Sequence, residues 1–402
     1  MTTARKLVAE LAAQAAIQEA LAAAKALAPS VINEAVLLQQ IPAPTFDEAR
    51  RASYVRQRFE DGGLSDVLTD DLHVVYARLP GSDPDAPAVM VSAHLDTVFP
   101  LDTVLNVRRR GKRLFGPGLG DNSVSVAAML ALPPLLQIDG FQPPADIWLV
   151  GTVGEEGLGD LCGMQRAVER LADRVGLVVV VEGMALGHIF HHGLGVRRLK
   201  VEVNGPGGHS WLNHGRPSAV HALLKLGAVL TDIPVPSGAP SSLNIGLIEG
   251  GLSINTIAPH ASLSIDLRSE DAAALDKLEG RVMAAIERFD FPAEITCGVE
   301  VIGNRPAGKL PRAHPLVAAS EAVLRTVGVS PVAYRAASTD ANVPLSRNLA
   351  AVCIGITTGG NAHRLDEYID TEPVGTGLQQ LLLLSLAAAH HSREWAAWDN
   401  VG

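Results

Sequence analysis

Four apolar runs punctuate the chain, and each stops where polar side chains begin. Residues 87–93 (PAVMVSA) lead into His94, and residues 146–153 (DIWLVGTV) into Gly154-Glu155-Glu156. Residues 176–181 (GLVVVV) lead into Glu182, and residues 349–356 (LAAVCIGI) run toward His363. Runs this continuous and this rich in β-branched residues predict strands buried on both faces. Helical spacing over 123–136 and 160–172 separates them. Strand and helix in alternation predict an α/β fold with a mixed, mostly parallel sheet and helices on both faces. Open sheets of this kind collect ligands beyond the carboxyl ends of their strands, which is where these polar residues fall.

Residues 196–307 follow another rule. The stretch VRRLKVEVNG alternates apolar and polar positions, as a half-solvated strand does. A helix is predicted at 217–231, strands at 242–248 and 260–267, a helix at 271–288 and a strand at 293–301. That order predicts a small inserted α+β sandwich with one open sheet face. The main domain is then split into 1–195 and 308–402, with 196–307 inserted and Gly193-Leu194-Gly195 and Gly303–Gly308 as hinges. At the amino end, Leu7, Leu11, Ile17, Leu21 and Leu27 are spaced for a helix over 3–28, and Glu10 and Glu19 interrupt what would be the apolar stretch of a signal peptide. An amphipathic helix lying on the body or on a partner chain is expected.

Composition narrows the picture. The 402 residues are 47% apolar and 19% charged, which suits a globular chain rather than a disordered one. Lys+Arg 33 against Asp+Glu 43 leaves a net charge of −10, a poor match to nucleic acid. No run reaches the roughly 18–20 apolar residues of a membrane span. Cys162, Cys297 and Cys353 are too few and scattered for a disulfide framework or a thiolate zinc site. They read as buried fillers in a cytoplasmic protein.

The strand-end residues carry the chemistry. Asp96 lies two residues past His94, close enough to fix the second ring nitrogen of a metal-binding imidazole. Asp121 sits among glycines in Gly118-Leu119-Gly120-Asp121-Asn122, either as a turn residue or as a carboxylate held to bridge two cations. Glu155 and Glu156 place like charges side by side, and a cation relieves such repulsion. One can ligate while the other faces a substrate as general base. Glu182 follows four valines, a setting in which a carboxylate is rarely left unpaired. Singly, each is an ordinary polar residue. Together, His94, Asp121, Glu156, Glu182 and His363 form a nitrogen-and-carboxylate set suited to zinc, with cobalt or manganese as alternatives. One carboxylate between two ions would make a two-metal hydrolytic centre.

The ordered motifs SAHLDTV, GPGLGDNS, GTVGEEGLGD, VVVVEG and GGNAHRLDEYID resemble the dizinc exopeptidase and deacylase family. That family includes bacterial carboxypeptidase G, succinyl-diaminopimelate desuccinylase, acetylornithine deacetylase and peptidase T. The resemblance runs from about residue 33 to the C-terminus. It implies two divalent metal ions, one held by His94 and Glu182 and the other by Glu156 and His363, with Asp121 bridging. It also implies that Asp96 orients His94, that Glu155 is the general base, and that the Asp121–Asn122 peptide is cis.

Gly205-Pro206-Gly207-Gly208-His209-Ser210 resembles the family's lid or dimerisation motif. The resemblance implies a homodimer in which His209 reaches the neighbouring site and steadies an oxyanion. Asn255 resembles a lid residue that contacts substrate. Arg335 resembles an arginine that pairs with a substrate carboxylate, although Ala336-Ala337-Ser338 replaces the glycine-rich stretch usual after it. His188, His191 and His192 have no carboxylate among them and read as structural. The implied activity is metal-dependent hydrolysis of C–N amide bonds, by an exopeptidase on small peptides or a deacylase of N-acyl amino acids, with no nucleic acid or membrane partner. An N-carbamoyl-amino-acid amidohydrolase, or a non-catalytic binding protein on the same fold, are the alternatives.

Overall fold

The computed structural model describes residues 3–137 and 142–398. They form two compact units. The larger runs to Gly193 and resumes at Lys309; the smaller is Leu194–Gly308.

The larger unit is built on one mixed sheet. Ser65–Thr69 pairs with Val75–Leu79, and then come Ile147–Thr152, Ala88–His94, Val175–Glu182, Ala350–Gly355 and His188–Gly193, with Ala333–Ala337 beside the last. The central strands Ile147–Thr152, Ala88–His94, Val175–Glu182 and Ala350–Gly355 are mutually parallel. All seven residues of Ala88–His94 and all six of Ile147–Thr152 are buried. Successive side chains on a strand face opposite ways, so burial of every residue requires cover on both faces. Val124–Leu130 and Val374–His390 are among the helices that pack on Ala88–His94. Parallel strands bring their carboxyl ends to one edge, so His94 and Glu182 finish side by side.

The amino-terminal segment is two helices, not one. Thr3–Ala12 and Ala15–Ala26 meet at an angle of 80°. Gln14 takes an extended backbone, with ψ at 135°, and this breaks the ladder. Val8, Leu11, Ile17 and Leu21 are buried. The first helix packs on Pro315–Thr326 and the second on Val374–His390. Arg5 closes the contact with an ion pair to Glu321 at 2.6 Å. The segment therefore lies on the body of its own chain.

By length and hydropathy, Leu119–Leu136 could cross a membrane, but 78% of it is buried inside the protein, as befits a core segment. The cysteines are less uniform than expected: only Cys353 is buried, while Cys162 and Cys297 are partly exposed because they sit at a helix start and on an edge strand.

The smaller unit has a four-stranded antiparallel sheet ordered Ser241–Gly250, His260–Ser269, Gly195–Asn204, Thr296–Arg305. Leu199, Val201, Val203, Leu263, Ile265 and Leu267 pack beneath the helices Ala219–Thr231 and Ala272–Glu287. The alternate positions, among them Lys200, Glu202, Ser264 and Asp266, form the polar face. Asp271 caps the second helix by accepting from the Ala274 amide at 2.9 Å.

Candidate metal centre

His94 ends its strand and is 2% exposed. Its Nε2 lies 3.1 Å from Asp121 Oδ1 and 3.7 Å from Glu182 Oε2. His363 Nε2 lies 3.2 Å from Asp121 Oδ2 and 3.2 Å from Glu156 Oε1. Asp121 thus turns one oxygen toward each imidazole. Five side chains that span 270 residues of sequence meet in one cluster.

Asp96 is buried completely. It lies 3.5 Å from His94 Nδ1, and its backbone carbonyl lies at 3.1 Å. Its carboxylate also accepts the amides of Glu155 and Glu156, at 3.0 and 2.9 Å, and the Thr45 hydroxyl at 2.9 Å. One carboxylate therefore orients an imidazole and fixes the backbone of both glutamates. Both glutamates are 6% exposed.

The turn that carries Asp121 is held from three sides. The Asp121–Asn122 peptide is cis. Asn122 donates to the Val181 carbonyl at 2.9 Å and accepts from the Gly183 amide at 3.0 Å, which ties the turn to the strand end bearing Glu182. A Cβ on Gly183 would fall 1.8 Å from the Gly120 carbonyl oxygen, so only glycine permits this approach.

The electrostatics of the cluster are dominated by its crowded carboxylates. Burial alone would lower the His94 pKa, but Glu182, Asp121 and Asp96 outweigh it and raise it well above the usual imidazole range. Hydrogen bonds to Asp121 and Glu156 push His363 up to about 10. Burial raises Glu182, while the two imidazoles overcome burial to hold Asp121 far below the usual carboxylate range. Three crowded carboxylates of this kind require balancing positive charge. Divalent ions would take that role, and imidazole with carboxylate is the donor chemistry of catalytic zinc sites. His94, Asp121 and Glu156 offer ligand atoms within 4.8 Å of one another.

Supporting groups lie outside the sequence expectations. Glu367, 0% exposed, accepts the amides of Gly118, Gly120 and Asp121 at 3.2, 2.6 and 3.0 Å. Burial and then the Asp121 charge push its pKa up to about 7. Arg51 donates to the carbonyls of Leu95 (2.7 Å) and Ile41 (2.6 Å) and so clamps the turn after His94. Glu48 accepts the Gly154 amide at 3.1 Å. Asp340 is buried and accepts the hydroxyl of Thr152, the residue paired with His94, at 2.5 Å; burial pushes its pKa up to about 7. Glu367 lies inside the motif GGNAHRLDEYID, but nothing in its spacing signals that it turns back on residues 118–121.

The other expected residues fall elsewhere. Arg335 is exposed on Ala333–Ala337. Four strand spacings separate it from the His94 strand, about 19 Å at the usual 4.8 Å. Its strand pairs in parallel with His188–Gly193. His209 and Asn255 belong to the smaller unit and share one tip. His209 pairs with Thr256, and the Ser210 amide donates to the Asn255 carbonyl at 2.9 Å. His209 Nδ1 accepts the amides of Trp211 and Leu212 at 3.2 and 3.3 Å. His191 is buried, with Nδ1 2.7 Å from the Leu310 carbonyl, and packs on His192 and Tyr334.

Proteins similar in sequence to this chain include a succinyl-diaminopimelate desuccinylase from Delftia acidovorans, 26% identical over 327 residues, covering 75% of this chain and 82% of that one. A probable carboxypeptidase from Talaromyces marneffei is 32% identical over 222 residues, covering 48% of each chain. The chain spans about half the length of several curated relatives it matches. The solved structure of a di-peptidase from Saccharomyces cerevisiae shares the fold, with a TM-score of 0.74 over 93% of this chain and 98% of its own at 15% identity. Residues 90–386 match peptidase family M20/M25/M40, a span that holds His94, Asp121, Glu156, Glu182 and His363, and the chain belongs to that family.

Proposed function

We propose that this protein is a metal-dependent hydrolase of C–N amide bonds, an exopeptidase on short peptides or a deacylase of N-acyl amino acids. The observation that carries this reading is the division of Asp121, with Oδ1 facing His94 and Oδ2 facing His363. His94 and Glu182 would hold one divalent ion, Glu156 and His363 a second, and Asp121 both. Zinc fits the donor set best, with cobalt and manganese as alternatives. Two such ions supply Lewis acidity that polarises a carbonyl and acidifies water.

The chain's own residues do the rest. Glu155 takes a proton from the attacking water and returns it to the leaving nitrogen. Its backbone is fixed by Asp96, so base and ligand share one anchor. His209 Nδ1 accepts two amides, which leaves the proton on Nε2 as a donor. In a homodimer, this donor would face a developing oxyanion in the neighbouring subunit, with Asn255 beside it to contact substrate. The edge strand Ser241–Gly250, with Leu247 and Ile248 exposed, supports pairing with a second copy. The free thiols support a reducing compartment such as the cytoplasm.

The test is a panel of dipeptides, tripeptides, N-acetyl, N-succinyl and N-carbamoyl amino acids, assayed with metal analysis. We expect about two ions per chain and turnover on a peptide or acyl substrate. Glu155→Gln should keep its metal and lose about 1,000-fold in kcat. Full activity in a metal-free preparation, or in Glu155→Gln, would refute the reading.

A further inference from the structure

Residues 108–113, Arg-Arg-Arg-Gly-Lys-Arg, place five cations in six positions of a chain with net charge −10. They fold as a hairpin of Arg108–Arg110 and Arg113–Phe115. Gly111, with φ at 58°, makes the turn. The hairpin continues a small antiparallel sheet through Tyr368–Asp370 to Gly359–Gly360.

The register divides the two faces. Leu114 pairs with Arg109 and Ile369, and both apolar residues are buried in the core. By alternation, Arg108, Arg110, Arg113, Phe115 and Tyr368 share the outer face. There the Arg113 guanidinium lies 4.4 Å from the Tyr368 ring centre and that of Arg110 lies 5.8 Å from Phe115. The two rings are 5.4 Å apart. Lys112 is paired with Glu372 and Arg113 with Asp370. Arg108, Arg109 and Arg110 are exposed and have no ion-pair partner among the described residues.

The same sheet reaches the metal centre. Gly360 pairs with Tyr368 and opens the loop to His363, while Glu367 grips the turn bearing Asp121. Three strand spacings, about 15 Å, separate Gly360 from Arg108. An extended peptide covers that distance in four or five residues, at about 3.3 Å each.

We propose that this hairpin binds the acidic distal end of an extended oligopeptide whose scissile amide lies at the metal centre, an inference that rests on the hydrolase reading. The rings hold Arg110 and Arg113 against the outer face, and the unpaired guanidiniums take the peptide's carboxylates in two-pronged contacts. A short acidic peptide meets only this local field, whereas a long polyanion would also meet the acidic remainder of the protein.

The experiment compares the metal-loaded protein with Arg108→Glu/Arg110→Glu. The substrates are two octapeptides with one common scissile end, carrying a distal Glu-Glu or Gln-Gln, and a dipeptide. We expect kcat/KM about 10-fold higher for the Glu-Glu tail at low salt. That preference should vanish in the variant and in 0.5 M NaCl, while dipeptide turnover is unchanged. Arg108→Gln/Arg110→Gln, which only removes charge, should show a smaller loss and guards against misfolding. Anisotropy of fluorescein-labelled pentaglutamate reads the same contact without turnover, so failure of the hydrolase reading is separable. Equal tail preference in protein and variant would overturn the proposal. So would loss of binding to a labelled single-stranded oligonucleotide with pentaglutamate binding intact.

Discussion

Ala88–His94 and Gly195–Asn204 are both strands at the centre of a sheet, yet they handle charge in opposite ways. The first is buried along its whole length and carries its ionisable group only at the end. The second alternates, with Arg198, Lys200 and Glu202 spread along one face and Leu199, Val201 and Val203 along the other. A sheet covered on both sides pushes its polar side chains to the strand ends, where neighbours are close and water is scarce. Each carboxylate there must find donors or cations. A sheet with one open face leaves its charges to solvent, and their pairings matter little. The same secondary structure thus concentrates chemistry in one unit and disperses it in the other.

That contrast is most exposed to failure at Asp121. Asp121→Ala removes the group shared by both imidazoles, and metal content should fall below one ion per chain, with activity at background. Elemental analysis showing undiminished metal content would break the contrast at its strongest point. Next is Glu367→Gln, which keeps the volume but turns an amide donor toward backbone donors. Supporting groups of this kind are worth about 10- to 100-fold in metal affinity, measurable by competition with a chelator. Unchanged affinity would mean that the turn at Asp121 holds itself.

In the smaller unit the large effects should be on stability. Leu263 is 1% exposed beneath both helices, and Leu263→Ala should cost about 2–5 kcal/mol in urea unfolding while leaving metal affinity as it was. The smallest effect is expected on the open face. Lys200 and Glu202 pair at 2.6 Å, but their side chains are 38% and 42% exposed. Lys200→Ala should move stability by no more than about 0.5 kcal/mol. A larger change there would show that the polar face is covered in the working protein.

Much of the larger unit was legible because its strands are unbroken apolar runs that end at an ionisable residue. Periodicity served the smaller unit equally well, although Thr296–Arg305 begins and ends later than 293–301. Local pattern failed where structure depends on distant partners. Nothing in the alanine-rich start announces the break at Gln14, since alanine fits a straight helix and a bent one alike. Arg51 and Glu48 lie near the start of a surface helix and look like solvent-facing charges, yet both are buried by the turns they hold. Asp340 and Glu367 are acidic residues in loops, and their burial follows from contacts with residues 188 and 246–249 positions away. Arg335 is expected by resemblance alone, and its strand lies four places along the sheet from that of His94.

The contact between Gly183 and Gly120 bears on metal selectivity. Main chain touches main chain there, so the gap between the two strand-end turns is a gauge cut by the polypeptide rather than by its cargo. A library selected for a larger or smaller ion should leave Gly183 untouched and find its winners among the ligand side chains.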